Sequence, residues 1–165
     1  MKKLLSALVA GVMTISCTLF PCYAVTDGVS TDRGSENRKI VYEDDGSYEV
    51  TELISSTPSN ASFEGISTFS AISTVTKSKR ITKYDASGDQ SYSFTLTATF
   101  SYSGSTASAT SASYRYAIYD NAWSFRSGST RLSRNTAYGT GTFSYMGLKR
   151  TVDLKMSCSA KGVVV

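Results

Sequence analysis

The chain has 165 residues, 17 of them basic and 13 acidic, with a formal net charge of +4 and no histidine. The missing imidazole removes Ser-His and Cys-His nucleophile pairs and the commonest metal ligand. Three cysteines and 12 glycines complete a composition in which 12% of residues are aromatic.

Lys2 and Lys3 precede an uncharged apolar run from Leu4 to about Phe20, which breaks at Pro21 and is followed by the small residues Cys22 and Ala24. This is the pattern of a signal peptide over residues 1–24, cut before Val25. A spanning anchor needs roughly 20 apolar residues, and this run is no longer than that and ends at a cleavage site. Acylation at Cys17 or Cys22 is disfavoured, because Thr14-Ile15-Ser16 is a poor match to a lipoprotein signal. Cleavage leaves 141 residues, enough for one domain with a real core. Only Cys158 then remains, so no intramolecular disulfide can form and stability must come from sheet burial. The expected location is extracellular. With no Leu-Pro-x-Thr-Gly signal and no transmembrane segment in the mature chain, release is expected rather than anchorage.

Charge divides unevenly along the mature chain. Residues 25–64 carry three basic and nine acidic side chains, and residues 65–165 carry twelve basic and four acidic. Opposite signs of this size predict that one part folds onto the other or that the two meet different partners.

In chain order, residues 25–37 are polar and read as a flexible leader. Residues 38–54 read as an acidic β-hairpin, with Ile40-Val41-Tyr42 and Tyr48 to Ile54 flanking an Asp44-Asp45-Gly46 turn. A hairpin this small needs a sheet to join, and Ile40, Tyr42, Tyr48 and Val50 are the expected docking residues. Residues 55–70, rich in Ser and Thr with Pro58 and Gly65, read as a linker or long loop. Residues 71–165 carry the core domain. Tyr92, Phe94, Leu96, Ala98, Phe100 and Tyr102 fall on every second position with hydroxyl residues between them. Leu148, Arg150, Val152, Leu154, Met156 and Cys158 repeat the pattern. Period two with one dry face predicts antiparallel strands.

Weaker strands are expected over Ile72–Tyr84, Thr106–Tyr119, Ala122–Arg126 and Ala137–Met146. Turns are expected at Asp85–Asp89, Ser103-Gly104-Ser105, Ser127-Gly128-Ser129 and Gly147. The fold expected is all-β, an antiparallel β-sandwich, Ig-like in general architecture, with a small closed β-barrel as the alternative.

Catalytic chemistry is thin. Glu43, Asp44, Asp45, Glu49 and Glu52 are the carboxylates a glycosidase would have to pair, but Asp44 and Asp45 fall in a turn, and Glu49 and Glu52 take opposite strand faces. Asp85, Ser87 and Asp89 offer too few oxygens for calcium. Nothing resembles a phosphate loop, Cys158 reads as a small core residue, and no metal or cofactor is expected.

Binding has better candidates. Tyr114, Tyr116, Tyr119 and Trp123 supply flat surfaces for a sugar ring or a protein, and Arg126 supplies a guanidinium beside them. The competing reading puts Trp123 and most of these rings in the sandwich core. Tyr119, opposite in parity to Tyr114 and Tyr116 and next to the Asp120-Asn121 turn, is the ring expected to meet solvent. The basic set Lys77, Lys79, Arg80 and Lys83, with Arg115, Arg126, Arg131 and Arg134, fits either a polyanionic partner or a solvated edge strand guarded by lysines.

Phe100-Ser101-Tyr102-Ser103-Gly104-Ser105, Ala107, Thr110-Ser111-Ala112-Ser113 and the stretch Val152 to Gly162 resemble small uncharacterised exported β-rich proteins of Gram-positive bacteria. The resemblance spans residues 71–165 and is compositional. It implies export and an all-β fold, and no activity or site residue. The function expected is a non-catalytic binding or interaction module whose partner is a cell-wall polymer, a glycan or another extracellular protein. The alternatives are a membrane-active or antagonistic toxin-like protein and, behind it, a glycoside hydrolase.

Overall fold

In the computed structural model, which describes residues 37–54 and 72–165, the alternating segments form eight strands. They are β1 (Arg38–Tyr42), β2 (Tyr48–Ile54), β3 (Ser73–Tyr84), β4 (Gln90–Tyr102), β5 (Ala107–Ile118), β6 (Trp123–Ser133), β7 (Thr136–Tyr145) and β8 (Leu148–Ser157). The signal peptide over 1–24, the leader apart from Asn37 and the linker over 55–70 lie outside the described residues. Strands β1 to β5 make one antiparallel sheet in sequence order, and β6 to β8 make a second. The two sheets face each other as a β-sandwich. No ladder joins β5 to β6, so the closed-barrel alternative falls.

The dry face of β4 is the centre of the core: Tyr92, Phe94, Leu96, Ala98 and Phe100 are wholly buried. Val152, Leu154 and Met156 of β8 and Cys158 just beyond it, with Ala137 and Phe143 of β7, meet them from the other sheet. Burial pushes the Cys158 thiol pKa up, as suits a packing residue. On the wet face, hydroxyls opposite one another in register pair across strands, Thr76 with Thr99 at 2.9 Å and Ser78 with Thr97 at 2.8 Å.

Glycine sets how closely the sheets approach. A Cβ on Gly141 would stand 2.6 Å from the Phe94 ring, one on Gly139 3.0 Å from Leu96, and one on Gly128 2.7 Å from the Tyr114 ring. Interiors at this density resist even one added methyl. Gly141→Ala is therefore expected to destabilise by about 1–3 kcal/mol, measured by urea denaturation. An unchanged midpoint would mean that the sheets are not in contact there.

The same packing corrects the sequence reading at Ser127-Gly128-Ser129. These residues lie inside β6, not in a turn, with a register shift between Phe125 and Ser127 that makes Arg126 a bulge. Gly128 is needed for the Tyr114 ring. The chain reverses instead at Arg134, which takes φ 54°, and Asn135, whose side chain donates to the Cys158 carbonyl at 2.7 Å. A second bulge, between Thr99 and Phe100, flips the parity of β5. It brings Ala107 and Ala109, then Ala112 and Tyr114, onto the core side.

Strand β3 also departs from expectation. It is not a sheet edge, since β2 covers it from Tyr84 to Ser78 and β4 lies along its other side. Its lysines do not form a solvated guard: Lys83 is buried. Lys79 is partly buried, which lowers its pKa, and donates to the Lys155 carbonyl at 3.2 Å.

Candidate functional site

The two meanders place four turns at one end of the sandwich, the hairpin turns β1–β2, β3–β4 and β7–β8 and the turn by which β5 crosses to β6. Three are built on an aspartate that accepts backbone N–H groups, the local chemistry that makes Asp a turn former. Asp45 Oδ1 accepts from Ser47 N, Asp85 Oδ1 from Ser87 N and Asp89 N, and Asp120 Oδ1 from Ala122 N, each at 2.9 Å. The fourth turn, between β7 and β8, has both central residues at positive φ, Met146 at 48° and Gly147 at 87°. Asn-Gly is the usual pair there; in this chain a methionine stands in the first position.

Between these turns lies a cleft of about 480 Å³. Its aromatic wall is Trp123 and Tyr145, ring centroids 5.1 Å apart and tilted by 37°. Leu148 and Lys149 stand on its rim, with Asp45, Asp85 and Asp120 around it. Behind Trp123 is Tyr92, 4.7 Å away and itself stacked on Phe143 at 4.0 Å. The wall thus stands on the core.

The floor is an ion network. Lys83 Nζ, buried at the end of β3, donates to Ser47 Oγ at 2.6 Å and pairs with Glu43 Oε2 at 2.7 Å. Arg150 of β8 pairs with the other oxygen of Glu43 and with Glu49 Oε1, the latter at 2.8 Å. On the outer face Arg80 holds Glu52 at 2.7 Å. Each of these pairs joins an acid of residues 43–52 to a base of the chain from β3 onward. The hairpin of β1 and β2 is thus bound by its ladder to β3 and by opposite charge.

Burial alone would raise the pKa of Glu43. The Lys83 hydrogen bond, then the charges of Arg150 and Lys83 and the Ser47 bond, bring it below its ordinary value. The Tyr92 phenol, 3.5 Å from Glu49, is pushed up by burial and by that carboxylate.

This arrangement limits the chemistry. Ser47 and Lys83 share the cleft floor, but Lys83 Nζ is paired with the Glu43 carboxylate and donates to Ser47 Oγ. Glu43 is held ionised, the opposite of what a general acid needs. Asp85 spends its Oδ1 on its own turn. Among the described residues no group of three His, Cys, Asp or Glu could hold a metal ion.

No family model, curated protein or solved structure matches the chain.

Of the five residues singled out from the sequence, Trp123 alone lines the cleft. Tyr116 is 49% exposed and stacks on Phe125 at 3.7 Å, and Tyr114 packs between Phe94 and Phe125. Both belong to an aromatic seam between β5 and β6. Tyr119 is 52% exposed but faces the other way, its hydroxyl 3.5 Å from Ser93. Arg126 is exposed at the β6 bulge. Sequence reasoning missed Tyr145, Lys149 and Arg150 of the cleft and the Lys83–Glu43 pair. One signal was present: Arg150 takes an apolar-phase position between Leu148 and Val152, and a charge on a core face requires a partner.

Proposed function

We propose that the chain is an exported, non-catalytic binding module that holds a cell-wall glycan in the cleft between its hairpin turns. The observation that carries this reading is the pair Trp123 and Tyr145, two tilted rings forming one wall of a cleft whose remaining lining is mostly charged. Aromatic faces stack on the C–H faces of sugar rings, and charged and amide groups around them take the hydroxyls. The signal-peptide pattern puts such a module where wall polymers are. The lowered pKa of Glu43 and the engaged Lys83 favour binding over glycoside hydrolysis.

Trp123 is the single tryptophan of the chain, so its emission reports the cleft directly. Titration with soluble wall-glycan fragments is expected to change that emission saturably. Tyr145→Ala, which removes a rim ring, should weaken binding roughly five- to tenfold with the circular dichroism spectrum unchanged. Emission that never responds, or Tyr145→Ala binding as wild type does, overturns the reading.

One observation favours a membrane-active role: Met146 is 82% and Leu148 74% exposed at the β7–β8 tip. Dye release from lipid vesicles by wild type, abolished in Met146→Ser, is the outcome that reading requires.

A further inference from the structure

We propose that the cleft selects glycans bearing free amines, hexosamine units carrying an ammonium rather than an N-acetyl group. This rests on the glycan reading of the cleft and adds the substrate class.

Formal charge is unevenly balanced among the lining residues and Glu49, which pairs with Arg150 beside the floor. Lys83 and Arg150 are the strongest cations at the cleft, and both are already spent: Lys83 on Glu43, and Arg150 on Glu43 and Glu49. Two bases and two acids cancel. What remains to face a ligand is Asp45, Asp85 and Asp120 against the single exposed ammonium of Lys149.

The three carboxylates come from three separate turns, and no trio of them is close enough to hold a metal ion. They are spread around the opening instead of forming one acidic knot, and the wall they surround is aromatic. Each aspartate uses Oδ1 for its own turn, so among the described residues Oδ2 is the oxygen left for a ligand.

An indole and a phenol flanked by carboxylates make an environment for an organic cation, because ring faces carry negative quadrupole density and attract ammonium groups. An uncharged N-acetyl sugar would gain the stacking but none of the ionic contacts. An anionic polymer would gain the stacking and meet three like charges. The ligand that uses both features has a pyranose body for Trp123 and Tyr145 and an ammonium for the aspartates. Leu148, on the rim, adds an apolar contact for the sugar ring.

The test compares two probes of equal length, a glucosamine oligomer and an N-acetylglucosamine oligomer, by Trp123 emission in dilute buffer and again with added salt. The glucosamine oligomer is expected to bind roughly tenfold more tightly and to lose that margin in salt. Asp120→Asn and Asp85→Asn keep the turn hydrogen bonds, because the amide oxygen still accepts. Each should weaken the glucosamine oligomer roughly three- to fivefold and the acetylated one distinctly less, so that the margin between the two narrows.

Equal or tighter binding of the acetylated oligomer overturns the amine preference while the glycan reading stands. Asparagine variants that bind the glucosamine oligomer as wild type does also overturn it. If neither oligomer moves Trp123 emission, both readings fall together.

Discussion

Phe100→Ala is expected to lower the unfolding free energy by about 3–5 kcal/mol, a large part of what a domain of this size has. The Phe100 ring is wholly buried on the dry face of β4 and lies in the principal core cluster. Its register partners are Val75 on β3 and Ala109 on β5. The alanine across from it and Ala98 two residues back on its own face leave few large neighbours able to move in, so the cavity should persist and the upper half of the range applies. Urea denaturation of wild type and variant measures the difference. A loss under about 1 kcal/mol would mean that the ring is not in the core, since cavity formation at a fully buried phenylalanine costs several times that.

Glu43→Gln should cost about 3 kcal/mol, at the lower end for breaking a buried ion pair, because the Glu43 side chain keeps 27% of its surface. The loss arises at Lys83 more than at Glu43. The Lys83 side chain is 6% exposed, and without the Glu43 carboxylate its charge keeps the Ser47 hydroxyl and only the more distant, exposed Asp45.

The sign of the pH effect follows from the lowered pKa of Glu43, whose ordinary value is 4.5. A carboxyl that is more acidic in the folded state contributes stability that is complete above the unfolded value and is lost as pH falls through the folded one. Wild type should therefore lose part of its thermal stability on acidification below about 4.5. The glutamine variant, already lacking that contribution, should lose less. Parallel losses in the two proteins would mean that Glu43 is not paired in solution.

How much of this was readable from the residues differs by feature. The alternation in Tyr92 to Tyr102 and in Val152 to Cys158 identified the two core strands and their dry faces, because a side-chain period of two leaves little freedom once one face is apolar. Turns built on Asp or Gly were readable where the residue makes the turn, as at Asp85–Asp89. They were misread where glycine serves packing, as at Gly128, since the neighbour that needs the space, Tyr114, is on another sheet. The Lys83–Glu43–Arg150 network was hidden for the same reason: its members come from the β1–β2 turn, β3 and β8. Only the opposed charges of the two chain halves foreshadowed it. The binding candidates were chosen by aromatic density in residues 114–126, and density does not distinguish a ring in an inter-sheet seam, such as Tyr116 on Phe125, from a ring on a cleft wall, such as Tyr145.

The proposed recognition at the turn end of the sandwich is open to chemical-shift mapping. On addition of a wall-glycan fragment to isotope-labelled protein, the Trp123 indole N–H and the amides of Asp120, Tyr145, Lys149 and Arg150 are expected to shift together and saturate together. Shifts confined to Tyr119, Tyr116 and Arg126, with the Trp123 indole unmoved, would contradict it.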